Sequence, residues 1–178
     1  VRYNLVVSEI IIETVSMAEL DVLTRIRELL KRNEVAFREV EHAPTFTSEE
    51  SARARGEDLR TGGKALLMKT GDAFRLFVLP ADRKVDSAAI RKELGSRKMR
   101  FASRDELLEL TGLVPGCVPP FGKPVLPFEL FVDVAIRENE RIAFNAGSLT
   151  NSVIMGVDDY LRVAEPTGVF CFSVTNSG

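Results

Sequence analysis

Histidine and cysteine are scarce in this 178-residue chain: there is one His, His42, and there are two Cys, Cys117 and Cys171. Two cysteines are too few for a disulfide framework, and these two do not form a metal-binding pair. With no Cys/His cluster, no conventional zinc site is expected, and neither metal nor cofactor is. A reducing cytoplasm is the natural setting. Neither sign of charge is in excess: 24 Lys and Arg against 26 Asp and Glu give a formal net charge of −2. A nucleic-acid partner would therefore have to be met by a local patch. Long apolar runs are missing too. Val6-Val7 and Ile10-Ile11-Ile12 are interrupted by Glu9 and bounded by Glu13. That stretch is too short to span a bilayer and lacks the basic start and cleavage site of a signal peptide, so no membrane partner is expected. Residues 1–16 are expected to be an N-terminal extension, with one compact domain over 17–178.

What remains is an ordinary globular composition, 45% apolar and 28% charged, in a chain long enough for a substantial core. Leu20, Leu23, Ile26, Leu29 and Leu30 recur at helical spacing, which predicts a helix over 19–32. A short strand is expected over 35–40. Thr47 with Glu50 is a capping box opening a small helix through Arg55. The runs 64–70 and 73–79, separated by Gly71-Asp72, read as a hairpin. Asp86 caps a helix whose Ile90 and Leu94 face inward and which Gly95 stops. A brief strand at 99–101 precedes a second capping box, Ser103 with Glu106. Runs 128–134 and 141–145 read as strands joined by the polar turn 137–140. Further elements are a strand at 150–155, a last helix through Val163 and a final strand over 169–174. Hairpins mixed with short helices predict a mixed α/β sheet rather than an alternating parallel one.

Two motifs stand out. Gly62-Gly63-Lys64 places a lone lysine at the mouth of an apolar strand. Glycine permits a tight turn and a close ligand, and the ammonium suits a phosphate or a carbonyl. The plainer reading is a loop lysine entering a strand. The segment is not a P-loop, because the upstream glycine and the following Ser/Thr are missing. The second motif is the Gly/Pro loop from Thr111 to Gly122, which either presents amide hydrogens to an oxyanion or is simply a rigid connection. Residues 144–148 (Phe-Asn-Ala-Gly-Ser) form another turn able to cradle an amine or hydroxyl. His42 has no plausible local nucleophile, so a structural or ligand-edge role fits it better than a general base. Ser148, Ser152 and Cys117 lack any nucleophile signature. Arg91, Lys92, Arg97, Lys98 and Arg100 form the densest basic cluster, broken only by Glu93. It is either a solvated helix face or a track for a phosphate backbone.

Taken in order, these pieces resemble the YbaK / prolyl-tRNA-synthetase-associated editing domain family of aminoacyl-tRNA deacylases. The resemblance is carried by Glu41-His42-Ala43-Pro44 with Thr47-Ser48-Glu49-Glu50, by Lys64-Ala65-Leu66-Leu67 and by Phe77 through Asp82. It continues in Val85-Asp86, Lys98 to Ser103, the loop Thr111 to Gly122 and Phe144 to Ser148, and so covers about 35–174.

The resemblance implies a curved, partly barrel-like mixed β-sheet with flanking helices. It also implies trans-acting hydrolysis of the ester joining a wrong amino acid to the 3′ acceptor end of tRNA, a step of translation fidelity. A synthetase is an implied second partner. Lys64 aligns with the family's characteristic lysine, and Gly112 and Gly116 with its glycine loop; these three are the implied catalytic positions. Implied substrate-binding positions are His42, Thr47, Pro119, Phe121, Gly122, Asn145, Ala146, Gly147, Ser148 and Ser152. There are departures: some relatives carry His-Pro where this chain has Asn145-Ala146, and others an acidic residue near Ser152. Substrate choice is thus the least transferable property. The competing readings are a non-catalytic module that binds aminoacyl-tRNA or a synthetase, and a hydrolase of small activated acyl esters.

Overall fold

The computed structural model describes residues 21–175, so the expected extension over 1–16 and the start of the helix expected from 19 lie outside the described residues. Helix α1 (Val22–Arg32) begins where the Asp21 carboxylate accepts the Thr24 amide hydrogen at 3.0 Å, and it buries Val22, Ile26 and Leu30 along one face. Strand β1 (Phe37–Glu41) leads to helix α2 (Ser48–Arg55). That helix carries the expected Thr47–Glu50 capping box and stops at Gly56, where φ is +69°.

Strands β2 (Gly63–Thr70) and β3 (Ala73–Pro80) form the expected hairpin, its two-residue turn relying on Gly71 at φ +61°. Next come β4 (Arg83–Val85), α3 (Ser87–Glu93), β5 (Met99–Phe101) and α4 (Arg104–Thr111), the helices capped by Asp86 and Ser103. The chain ends with β6 (Leu130–Asp133), β7 (Arg141–Asn145), β8 (Asn151–Gly156), α5 (Val157–Ala164), β9 (Gly168–Phe170) and β10 (Ser173–Thr175).

These strands build a mixed five-stranded sheet, β5-β2-β3-β6-β9, in which β6 runs parallel to both neighbours. An antiparallel sheet β1-β8-β7 and a two-stranded sheet β4-β10 complete the set. The mixed α/β expectation is met, and among the described residues no barrel closes. A parallel bridge, Gly62 to Ala143, links the two larger sheets. A side chain at Gly62 would not fit there, because an added Cβ would lie 2.8 Å from that of Ala81.

Two expectations need correction. The runs around β6 and β7 are not arms of one hairpin. Asp133 is fully buried and its carboxylate accepts the amide hydrogens of Ala135 at 2.9 Å and Phe172 at 2.6 Å. This ends β6 in a 3-10 turn, Val134–Glu138, that carries the chain to the other sheet. The expected last strand is two strands in different sheets, since Phe172 leaves the ladder to pack edge-on against Phe77.

The apolar run 76–79 has no polar face because β3 is covered on both sides. Leu76 and Val78 join the main core with α1 and α5, while Phe77 and Leu79 join a second cluster with Ile90 and Phe172.

Candidate active site

A cleft of about 250 Å³ opens where the two larger sheets meet, walled by the start of α2, the start of β2, the glycine loop and the end of β7. Lys64 enters it from β2. Its Nζ donates to the Arg83 carbonyl oxygen at 2.6 Å, which fixes the ammonium without neutralising it. Burial pushes its pKa below the ordinary lysine value; Asp82 and Glu49 favour the charged form, and Lys84 opposes it.

The back wall is held by a residue that sequence reasoning passed over. Arg55, at the end of α2, is buried and donates from Nε to Ser152 Oγ at 2.9 Å. Its Nη2 donates to Asn145 Oδ1 at 2.7 Å and its Nη1 to the Ala143 carbonyl at 3.1 Å. Burial lowers its pKa to about 10, with Glu57 pulling the other way. The available signal was spacing: Ser51 and Arg55 are four residues apart, hence on one helix face, and both are buried.

His42 joins the same network. Its Nδ1 lies 2.8 Å from the Ala43 carbonyl oxygen, which can only accept, so Nδ1 carries a proton. Nε2 lies 2.8 Å from Ser152 Oγ, and that hydroxyl also stands 2.9 Å from Asn145 Oδ1, to which it donates. Asn145 extends the chain of bonds forward, its Nδ2 donating to the Gly116 carbonyl at 2.9 Å. One run of hydrogen bonds therefore joins α2, β7, β8 and the glycine loop.

Of the residues singled out from sequence, Lys64, Thr47, Gly116 and Asn145 line the cleft, while His42 and Ser152 stand behind it. The rest do not line the cleft and have other contacts. Pro119, Phe121 and Ala146 are buried, with Phe121 edge-on to Phe144 and Tyr160. Gly122 and Gly147 allow close approaches: an added Cβ would lie 2.6 Å from the Phe128 carbonyl and 2.7 Å from Val22 respectively. Ser148 accepts the Thr150 amide hydrogen at 3.0 Å within its own turn. Gly112 ends α4 at φ +71° and donates its amide hydrogen to the Leu108 carbonyl at 2.8 Å, so that donor is committed to the helix. Residues that sequence left aside are also at the rim, chiefly Phe46, which is 73% exposed.

A cleft of mixed polarity with a fixed ammonium and glycines in its wall, between two sheets of a mixed α/β fold, has the chemistry to receive an anionic or ester-bearing ligand. The aminoacyl-tRNA editing domain model matches residues 42–163, and the chain belongs to that family. It is 38% identical over 148 residues to the multifunctional Ser/Thr-tRNA deacylase ProXp-y of Escherichia coli (strain K12), covering 80% of this chain and 87% of that protein. Over 134 residues it is 26% identical to the prolyl-tRNA editing protein ProX of Acetoanaerobium sticklandii, covering 72% and 82%. A stretch of 100 residues is 34% identical to part of the proline–tRNA ligase of Shouchella clausii, 56% of this chain and 17% of the ligase. A solved structure of a candidate trans-editing enzyme for prolyl tRNA synthetase superposes with a TM-score of 0.72 at 21% identity, covering 85% and 96%. That likeness carries the fold. Among the described residues no helix is long and apolar enough to cross a membrane.

Proposed function

We propose that this chain hydrolyses mischarged aminoacyl-tRNA, acting in trans on the ester at the 3′ end. Within a family of editing domains, the observation that supports this best is the cleft-wall ammonium of Lys64, held by the Arg83 carbonyl at 2.6 Å. An aminoacyl ester is already activated, so water attacks the acyl carbon without a protein nucleophile. The carbonyl oxygen becomes the oxyanion. The bond to the ribose oxygen then breaks, that oxygen takes one proton of the attacking water, the other passes to solvent, and the amino acid leaves as its carboxylate.

Lys64 meets the negative charge, either on the terminal phosphate or on the ester oxygen. The Gly116 amide stabilises the oxyanion, the amide hydrogens of Gly112 and Cys117 being committed to the Leu108 and Val114 carbonyls. The vicinal ribose hydroxyl orients the water, which accounts for His42 serving as a wall rather than as a base. Arg55 positions Asn145, and Asn145 positions the loop. The E. coli relative's name puts seryl and threonyl esters first among substrates, and the likeness to a ligase segment favours a synthetase as partner.

The test is deacylation of tRNAs carrying Ala, Ser, Cys, Thr or Pro esters by wild type and Lys64→Ala. Selective release that falls about 10²–10³-fold in the variant supports the assignment. Release from none of the esters, or release indifferent to Lys64, transfers the case to a non-catalytic module that binds aminoacyl-tRNA or a synthetase.

A further inference from the structure

Several arginines of this chain are neutralised by neighbours: Arg83 pairs with Glu138, Arg75 with Glu129 and Arg162 with Asp159. The turn end of the β2–β3 hairpin is different. There Lys69, Arg91, Arg97, Lys98 and Arg100 line a surface basin of about 430 Å³ in which Asp72 is the one acidic lining residue. Among the described residues only Arg100 of the five forms an ion pair, with Glu106 at 2.7 Å. Arg91, Arg97 and Lys98 are exposed. Lys69 Nζ and the Arg100 guanidinium lie 5.4 and 6.0 Å from the centre of the Phe74 ring, contacts that orient both cations and leave the charge of Lys69 available, that of Arg100 being shared with Glu106. In a chain of net charge −2 this cluster makes a local field of opposite sign.

Lys69 lies five residues along β2 from Lys64, roughly 17 Å at the strand rise and on the opposite face of the strand, so the basin is reached around the hairpin. We propose that the basin docks the phosphate backbone of the tRNA whose 3′ end occupies the cleft; the inference rests on the aminoacyl-tRNA reading of that cleft. An acceptor arm is single-stranded at its tip and double-helical behind it, so phosphates lie within that reach of the ester. Lysine point charges and arginine forks both suit phosphate oxygens. The backbone contact supplies affinity, and the cleft supplies selection among esters.

The experiment uses the double variant Arg97→Glu/Lys98→Glu. Both side chains are exposed, and the bonds made by Lys98 to Gly71 and Ser96 use its carbonyl oxygen, so the fold is retained, as a thermal melt would verify. The ester that wild type cleaves best is presented on full-length tRNA and on a short mimic of the aminoacylated 3′ terminus. Affinity for uncharged tRNA is measured in parallel from about 50 to 200 mM salt. The expected result is a loss of about tenfold or more in kcat/KM on full-length tRNA at low salt. The salt slope of tRNA binding becomes shallower by about 2, and cleavage of the mimic is unchanged. Unchanged tRNA affinity in the double variant overturns the docking whether or not an ester is cleaved. That outcome includes a patch that serves an acidic protein, revealed by loss of synthetase association alone. A wild type that cleaves neither substrate defeats the reading of the cleft, while the binding arm still decides the docking.

Discussion

Arg55 on α2 donates to Ser152 on β8 at 2.9 Å across 97 residues of sequence. The bond matters because Arg55 is buried and hydrogen-bonded to neutral partners only, hydroxyl, amide and carbonyl oxygens, with Glu57 adding a favourable charge. Arg55→Ala leaves those acceptors without their donor, at about 1–3 kcal/mol for each group left unsatisfied. Arg55→Lys keeps the charge but not the three-pronged geometry. The expected outcome is a lower urea midpoint for both variants, smaller for Lys, together with a fall in kcat on the best ester. Full activity in Arg55→Ala would show that the loop holds its place without this network.

Gly112 and Gly116 both have positive φ, yet substitution should separate them. Space around Gly112 is open, so Gly112→Ala meets only the left-handed backbone penalty of about 1–2 kcal/mol and should retain its turnover. Gly116 sits at φ +91° in the cleft wall, and an added Cβ would lie 3.2 Å from Leu149. Gly116→Ala should displace the loop and reduce kcat by up to about a hundredfold. Steady-state kinetics beside thermal melts distinguishes the two. Equal loss of turnover in both variants would return Gly112 to the site.

Acid should weaken the protein through Glu106, among other carboxylates. Hydrogen bonds from Arg100 and from the Ser103 amide hold its carboxyl down to about 2 from an ordinary 4.5. The folded-state pKa is depressed, so the contribution is complete above the unfolded value and disappears as pH falls from about 4.5 to about 2. Glu106→Gln should be less stable than wild type near neutrality and should converge with it at the acid end. Urea midpoints measured across that range give the difference directly. A constant gap at every pH would mean that the carboxylate's charge contributes nothing.

Local signals were the most legible part of this chain. Both capping boxes, the Asp86 cap and the Gly71-Asp72 turn are set by neighbouring residues, and each stands as read. What sequence could not give was long-range partnership. Asp133 looks like an ordinary strand-end acid until its carboxylate meets the Phe172 amide, 39 residues away, and separates the strands on either side of it. Arg55 reads as a helix-surface charge because its acceptors come from β7 and β8. In the other direction, Phe121 and Gly122 belong to a distinctive motif that packs here, Phe121 edge-on to Tyr160, whose hydroxyl donates to the Pro120 carbonyl at 2.7 Å, and Gly122 close against Phe128 and Leu130. A motif records that residues are constrained; only their neighbours show by what.

Phe46 carries the last prediction. It precedes the Thr47 cap, leaves its ring 73% exposed and stands at the cleft rim, so its burial does little for the fold. An exposed ring there suits a base stacked at the end of a single-stranded RNA tip, an interaction worth about 1–3 kcal/mol per base. Phe46→Ala should therefore raise KM for the aminoacylated 3′ end about 5- to 150-fold, that energy expressed as binding, with kcat nearly unchanged. Stability should move by less than about 0.5 kcal/mol, as for other surface substitutions. Phe46→Trp should preserve KM, while Phe46→Leu, apolar but without a π-face, should not. If Leu serves as well as Trp, the ring acts as plain apolar cover and the base is bound elsewhere.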